Sequence, residues 1–364
     1  MHILDNHANI GGVFVNIWKM VCVVMIGLIG GPAFAADVAE FYKGKTVNLI
    51  VGYGPGGGYD LYARLLARHM AHRIPGNPTI TVQNMPGAGS MRAANHLFIG
   101  APKDGTAFGI FDRNMPLMAF IGGSSNVQFD PLKFVWIGSL SDSSDDAFVL
   151  WARKSAQAKS IDDLRRPGGP ALTVGVATAG ATDNDVGVIL RDISGLRLNL
   201  VQGYPDSNAV GLAVESGEVD AQLIGHVTSK IMRPAWTAPG SPMQILVQFG
   251  RPDRHPELAN VPTARELASD DRARQLIDLA QFPYQIARPF VAPPGTPPDR
   301  AEALQEAFRQ TVKDADFLDE ARKLNLEISP VDGIAATRLI GEMGRSPLDV
   351  RQRLREALYG AAKP

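Results

Sequence analysis

Short apolar runs alternate with helical patterns along most of this chain, and that alternation limits its possible folds more than any other feature. The runs are rich in Val, Ile, Leu or aromatic residues, and most end in Gly, Pro or Asn, as strands do. Strands that alternate with helices favour α/β sheets with parallel strands. The predicted strands are 46–54, 79–84, 106–111, 148–153, 172–178, 198–204, 220–225, 243–250 and 287–294.

Two segments between these elements have the composition of chain crossings. Residues 138–146 are polar, and residues 233–243 are rich in proline. If both are crossings, 36–140 plus 243–364 form one discontinuous lobe and 141–242 form a second. The predicted helices are 60–73, 88–97, 161–165, 183–194, 206–216, 263–268, 271–280, 298–312, 314–325 and, with breaks, 332–359.

Composition and charge argue against several kinds of partner. The 364 residues are 45% hydrophobic and 20% charged, which is ordinary globular composition and enough chain for two domains. The net charge is −1, whereas proteins that bind nucleic acid or anionic membranes are usually basic. We therefore expect neither partner, and we expect a monomer.

The first 35 residues have the features of a secretory signal. Lys19 precedes a short apolar stretch, 20–31, which is followed by Ala33-Phe34-Ala35, a small-x-small cleavage pattern. We expect cleavage after about Ala35 and a periplasmic location; the alternative is an N-terminal anchor helix. Cleavage would remove Cys22, the single cysteine, so the mature chain would contain no disulfide, thiolate metal site or cysteine nucleophile.

A glycine-rich loop follows the first predicted strand, in the sequence GYGPGGGYD. Gly57 and Gly58 lack a Cβ, so a ligand can reach their amides, and Asp60 lies where a helix cap is expected. The free amides and the positive end of the following helix favour an anion. A tight turn with no ligand is equally compatible with this sequence. The loop lacks the Lys-Ser/Thr of a P-loop and the downstream acid of a dinucleotide fingerprint.

A second loop of this kind, NMPGAGS at 84–90, follows the next predicted strand. In open α/β sheets, ligands bind at the carboxyl ends of the strands, so the two loops are expected to face one crevice. In the second lobe, ATAGATDND (177–185) and GYPDSN (203–208) also follow strands and open helices. Ordinary helix capping explains Asp183 and Asp206 at least as well as ligand binding does.

Catalytic and metal motifs are not found. There is no G-x-S-x-G nucleophile elbow and no H-E-x-x-H. His69 and His72 have no acidic partner at ligand spacing and are expected at the surface. His226 follows a strand end and could reach the crevice. We expect no catalytic residue, no metal and no cofactor.

Several motifs together resemble the receptor family of tripartite tricarboxylate transporters, also called Bug-type solute-binding proteins. The loops GYGPGGGYDLYAR, NMPGAGS and APKDGTAF follow the family's P-G-G-x-x-D-x-x-A-R, E-N-R-P-G-A-G-G and P-D-G-Y-T-L patterns. Met85 replaces the Arg of the second pattern, and Lys103 is inserted in the third. Later, ESGEVDAQL, NVPTARELA and FVAPPGTPP also match. The second-lobe loops depart from the family's G-x-G-S-x-x-H-L and V-P-Y-K-G, so the identity of the ligand is the least transferable property.

The resemblance implies a two-lobed periplasmic-binding-protein fold of the type II or Venus-flytrap kind, with a mainly parallel sheet in each lobe. It implies capture of a small carboxylate, held mainly by backbone amides, and delivery to the membrane subunits of a transporter. A ligand-sensing subunit of a signalling system is an alternative, and an exported hydrolase is a third. The expected ligand-binding residues are Tyr53, Gly57, Gly58, Asp60, Pro86, Gly87, Ala88, Gly89, Ser90, Ala181, Thr182, Gly203, Tyr204, Asp206 and His226.

Overall fold

The computed structural model describes residues 31–144 and 147–360, and its strands form two separate sheets. The strands, numbered along the chain, are β1 Thr46–Val51, β2 Thr79–Asn84, β3 Ala107–Ile110, β4 Val135–Ser139, β5 Phe148–Arg153, β6 Leu172–Gly175, β7 Leu198–Val201, β8 Ala221–Gly225, β9 Met243–Phe249, β10 Pro289–Ala292 and β11 Val331–Asp332. The spatial order is β11-β4-β10-β3-β1-β2 in the first sheet and β7-β6-β8-β5-β9 in the second.

Helices cover both sheets. They are α1 Gly31–Tyr42, α2 Gly58–Met70, α3 Met91–Asn95, α4 Met115–Ile121, α5 Ile161–Arg165, α6 Thr182–Val188, α7 Ser207–Ser216, α8 His226–Met232, α9 Pro234–Thr237, α10 Asp271–Gln281, α11 Pro298–Thr311, α12 Ala315–Lys323, α13 Gly333–Gly344 and α14 Leu348–Tyr359. Helices α3 and α6 continue into the π-helical segments His96–Gly100 and Ile189–Ile193. Short 3₁₀ segments are Ala71–Arg73, Ala88–Ser90, Pro131–Lys133, Pro256–Leu258 and Phe282–Ile286.

The central strands are buried on both faces because helices cover both sides of each sheet. Leu49, Ile50 and Val51 of β1 are inaccessible or nearly so, as are all residues of β3 and β10. Strands of this kind carry continuous apolar runs rather than alternating ones. This is why the sequence indicates them clearly.

The two-lobed α/β fold predicted from the sequence is confirmed, but the sheets are mixed rather than mainly parallel. Parallel pairing joins β1 to β2 and β3, and β6 to β7 and β8. Strands β10 and β5 pair antiparallel with both of their neighbours. Each is the first strand after the chain passes from one sheet to the other. Each enters its sheet from the end at which the parallel strands finish, so it runs antiparallel to them.

The second predicted crossing is placed wrongly. Residues 233–243 contain α9 and lead into β9, which pairs with β5 inside the second sheet; Trp236 of α9 packs on Trp151 of β5 with ring centroids 5.8 Å apart. The prolines here start a short helix and do not mark a lobe boundary. The chain leaves the second sheet only after Phe249, where Arg251 donates hydrogen bonds to the Ser143 and Ser144 carbonyls of the first crossing. After Phe249 the chain still packs on this sheet: the Gln248 side chain donates hydrogen bonds to the Leu258 and Val261 carbonyls, and Leu258 lies in the cluster of Trp151 and Trp236. We propose that the second lobe spans about 141–268.

Two further predictions differ from the structure. The strand β4, Val135–Ser139, was not predicted although its sequence VWIGS is typical of a buried strand, because the adjoining polar segment was assigned to the crossing. The predicted helix at 263–268 is a series of turns, tied to β9 by a bridge between Thr263 and Gln248.

The last helix, α14, connects the two lobes. Arg351 and Arg355 donate hydrogen bonds to the carbonyls of Phe120 and Gly122, at the end of α4 in the first lobe. Tyr359 donates a hydrogen bond of 2.9 Å to Asp185 of α6 in the second lobe. The C-terminal segment thus contacts both halves of the molecule.

Candidate functional site

A cleft lies between the two lobes, and interfaces between domains are a common place for small-molecule sites. Its walls come from the carboxyl ends of strands in both sheets, where the helices begin. The lining residues are Tyr53, Gly57, Gly58, Tyr59, Asp112, Arg113 and Arg288 from the first lobe, and Phe148, Ala177, Thr182, Asp183, Asp206, Ser207, Leu223, Ile224, Gly225 and Thr228 from the second. Of the predicted ligand-binding residues, Tyr53, Gly57, Gly58, Thr182 and Asp206 line it.

The first glycine loop opens α2 toward the cleft without a side-chain cap. Gly57 is the N-cap residue, in extended conformation (φ −77°, ψ 168°), and no side chain in the described chain caps its helix. The first amides of a helix have no partner within it and carry its positive end. Gly57 and Gly58 line the cleft, and no hydrogen bond from either amide to another described residue is found. Gly56, with φ +82°, makes the turn that brings them there.

Asp60 supports this loop from behind and does not line the cleft. Its carboxylate accepts hydrogen bonds from Gly56 N, Arg64 Nε and Asn84 Nδ2, each at 2.8 Å, and the side chain is buried. Burial raises the pKa of Asp60, but these donors outweigh it and lower the pKa below its ordinary value. The carboxylate is thus fully engaged in holding the turn.

The second glycine loop packs beside the first but turns away from the cleft. Ala88, Gly89 and Ser90 all have positive φ, which is a strained conformation for the two non-glycine residues. Ser90 is buried against Gly52, where a Cβ would lie 1.7 Å from the Ser90 Oγ. A Cβ on Gly89 would lie 2.9 Å from Ala181 N of the second lobe. Ser90 thus supports the first loop and Gly89 contacts the opposite lobe, and Ala181 lies in that contact rather than in the cleft wall. Pro86, Gly87 and Ala88 are exposed.

Asp112 connects the lobes at the bottom of the cleft, and sequence reasoning missed it. It is buried and accepts hydrogen bonds from Tyr53 OH (2.6 Å) and, across the lobes, from Thr182 Oγ1 (2.8 Å). The Ser90 hydroxyl in turn accepts from the Asp112 amide at 3.0 Å. Burial and the neighbouring Asp112 carboxylate raise the pKa of Tyr53 well above its ordinary value, so the phenol stays a donor. Asp112 follows β3, whose end the strand-end rule places at the same edge.

Two buried arginines on the first lobe also went unpredicted. The Arg113 guanidinium lies 4.4 Å from the Tyr284 ring centroid, and its Nε lies 3.4 Å from Tyr59 OH. The Arg288 guanidinium lies 5.0 Å from the ring centroids of both Tyr59 and Tyr62. Aromatic faces stabilise these cations within the wall. Neither residue follows a loop motif, so the sequence offered no signal for them.

The second lobe contributes carboxylates at two helix starts. Asp183 accepts hydrogen bonds from Ala177 N (2.8 Å) and Asn184 N (2.9 Å), and burial raises its pKa to about 7. Asp206 caps α7 through Oδ1, which accepts from Asn208 N and Ala209 N at 2.9 Å. Gly203 donates to the Ala177 carbonyl, so the 203–206 loop lies beside Asp183. Asp206 thus caps its helix, as expected, and also lines the cleft.

Known proteins share this two-lobed architecture. No protein-family model matches the chain. It is 27% identical over 311 residues to the UPF0065 protein in the gbd 5′ region of Cupriavidus necator, covering 83% of this chain and 84% of that one. The similar solved structures include MatC from Rhodopseudomonas palustris with bound malate (TM-score 0.65, 21% identity, covering 86% of this chain and 99% of that one). They also include the periplasmic binding protein BugD, with a TM-score of 0.68 and 18% identity, covering 88% of this chain and 100% of that one. R. palustris Rpa4515 with adipate has a TM-score of 0.64 and 19% identity, covering 86% of this chain and 97% of that one.

The chain has the fold of the TctC- and Bug-type periplasmic solute-binding proteins. The resemblance drawn from the glycine-loop motifs is therefore confirmed. In the described part of this solute-binding fold, no helix is long and apolar enough to cross a membrane, and no group of three metal-ligating side chains is found. The predicted signal segment 1–35 lies almost wholly outside the described residues.

The remaining predicted site residues of this solute-binding fold lie away from the cleft. His226 is buried beneath it and contacts Glu257 Oε2 at 2.9 Å through Nε2, with the His255 ring at 5.6 Å. The Tyr204 hydroxyl donates to Glu218 at the surface, and Gly203 is exposed. His69 contacts Glu320 at 2.6 Å, and His72 is exposed. A strand end brings His226 close to the crevice, but the side chain points into the packing of its own lobe.

Proposed function

We propose that this chain is an extracytoplasmic solute-binding receptor that captures a small carboxylate in the interlobe cleft and delivers it to a tripartite tricarboxylate-type membrane transporter. The observation that carries the proposal is the uncapped start of α2, where Gly57 and Gly58 line the cleft. Helix N-termini of this kind bind carboxylates without a side-chain cation. The fold shared with MatC, which has bound malate, supports the same ligand chemistry.

The lobes are positioned to enclose such a ligand. Thr182 of the second lobe is hydrogen-bonded to Asp112 of the first, and Gly89 packs on Ala181. A ligand between them would contact both walls and would favour this closed arrangement over an open one, since it binds the closed state better. Hinge closure through the segments where the chain passes between the two sheets is the corresponding motion. Periplasmic location and a transporter partner follow from the family resemblance and belong to the proposal, as does the absence of catalysis.

A thermal-shift experiment with matched variants tests this function. Mono-, di- and tricarboxylates are added to the native protein, and the matching acid should raise Tm, because it binds only the folded state. A side chain at Gly58 would lie 3.1 Å from Thr228 Oγ1 and enter the cleft, so Gly58→Val should lose the shift. Gly341→Val introduces the same side chain into α13, where its nearest neighbour is the flexible Arg345 tip, and should keep it. A panel without any shift, or a shift retained by Gly58→Val, would contradict the proposal.

A further inference from the structure

The charged residues of the cleft are divided between the lobes. On the first lobe, Arg113 and Arg288 flank the Tyr59 ring, and Arg288 Nη2 lies 3.5 Å from Thr228 Oγ1, the side chain that faces Gly58. On the second lobe, Asp183 and the 203–206 loop both hydrogen-bond to the backbone of Ala177. A small ligand that fills this space therefore meets two arginines, with Asp112 beside them, on one lobe and the carboxylates of Asp183 and Asp206 on the other.

Asp206 carries an acceptor that helix capping does not use. Its Oδ1 takes both capping hydrogen bonds, while no hydrogen bond to Oδ2 is found among the described residues. That Oδ2 lies 3.0 Å from the position of a Cβ on Gly54, in the opposite glycine loop. The oxygen thus projects across the cleft toward the first lobe, where only a glycine leaves room for it.

The second-lobe carboxylates are unfavourable for a second anionic group. Asp183 and Asp206 both line the cleft, and each would repel a neighbouring carboxylate in a partly desolvated site. Burial raises the pKa of Asp183, and a nearby cation would act in the opposite direction. A cationic group would therefore be favoured here and would satisfy the free Asp206 oxygen.

From this arrangement, which rests on the proposed function, we infer that the ligand is zwitterionic: a small carboxylate that also carries a protonated amine. The carboxylate binds the Gly57 and Gly58 amides near Arg288. The ammonium donates to Asp206 Oδ2 and to Asp183. The receptor would then select amino-carboxylates over the hydroxy-carboxylates and dicarboxylates of equal size.

Matched ligand pairs test the inference by calorimetric titration of the native protein. Malate is compared with aspartate, and 4-hydroxybutyrate with 4-aminobutyrate, so that within each pair an ammonium replaces a hydroxyl. At least one amino member should bind about tenfold or more tightly than its partner, as expected for a charge-assisted hydrogen bond. If the hydroxy members bind as tightly or more tightly, the inference is overturned while the proposed function stands. If none of the four binds, and no acid shifts Tm, both fail.

A conservative variant identifies the residue responsible. Asp206→Asn retains the N-cap, because Asn caps helices as well as Asp does, but it replaces the free acceptor with a donor. It should lower the preference for the amino member about tenfold and leave the folded state intact by circular dichroism. Asp270→Asn makes the same change at the N-cap of α10, where the side chain accepts from Ala273 N, and should leave the preference unchanged. An unchanged preference in Asp206→Asn would overturn the assignment.

Discussion

At the scale of single residues, the site depends on carboxylates whose surroundings differ sharply. Asp60 is held by three donors that lower its pKa, so it remains charged. Burial is the main cause that raises the pKa of Asp183 to about 7 and the pKa of Asp185 to about 6. Asp185 nevertheless accepts hydrogen bonds from Gly180 N and Tyr359 OH. Two carboxyl groups with pKa values near neutral pH therefore lie where α6 meets the first lobe and α14.

These raised pKa values predict how stability depends on pH. In the unfolded chain an aspartate titrates near pH 4. Between about pH 4 and pH 7 the folded protein keeps protons on Asp183 and Asp185 that the unfolded chain has lost. The free energy of unfolding contributed by these groups therefore falls as pH rises through this interval. The fall should be complete above the folded pKa values.

Thermal unfolding at several pH values between 4.5 and 7 measures this fall. Asp185→Asn removes one titrating group while its remaining oxygen can still accept from Gly180 N, so the decline of Tm with pH should become shallower. Asp162→Asn, at an exposed position in α5, should leave the decline as it is in the native protein. Equal slopes in Asp185→Asn and the native protein would show that Asp185 titrates normally in the folded state.

At the scale of elements, we expect the second glycine loop to act on closure of the lobes, because Gly89 contacts the opposite lobe. Gly89 has φ +59° and packs on Ala181, so Gly89→Ala would place a methyl group 2.9 Å from the Ala181 amide. We expect the lobes of this variant to stay apart, with loss of ligand affinity. Small-angle scattering should show a larger radius of gyration with the matching ligand present than the native protein has.

A control separates this effect from backbone strain. Gly44 has a similar φ of +68° with nothing within 4 Å of its Cβ position, so Gly44→Ala imposes the strain without the contact. Both variants should lose about 1–2 kcal/mol of stability, the cost of a left-handed non-glycine residue. Only Gly89→Ala should lose affinity. If both variants bind ligand equally well, the loop does not control closure.

The elements also show what the sequence could predict. Apolar runs followed by glycine revealed β1, the first loop and α2, because continuous burial and an exposed helix start both leave a clear pattern. Asp112 follows a predicted strand, but no glycine loop marks its position, and Arg288 precedes its strand; neither was predicted to reach the cleft. Pro86 to Ser90 were expected in the cleft wall. In the structure Gly89 packs on Ala181 of the opposite lobe with a positive φ, and a sequence does not display φ.

At the scale of the whole molecule, the first strand that the chain forms after each passage between the sheets runs antiparallel to its neighbours. Strands β5 and β10 run against their neighbours, so the carboxyl ends of the remaining central strands face one another across the cleft. The lobe boundary follows from this pairing and not from composition, which is why the proline-rich segment at 233–243 was misleading. Helix α14 adds a contact between the lobes through Tyr359 and Asp185.

The central claim is that the amides at the start of α2 hold a small carboxylate between closed lobes. Mass spectrometry of the protein purified without denaturation from a periplasmic extract, followed by identification of the molecule released on unfolding, tests it most directly. We predict a small carboxylic acid in the native protein, absent from Gly58→Val and present in Gly341→Val. A released molecule without a carboxyl group, or the same acid retained by Gly58→Val, would contradict the account.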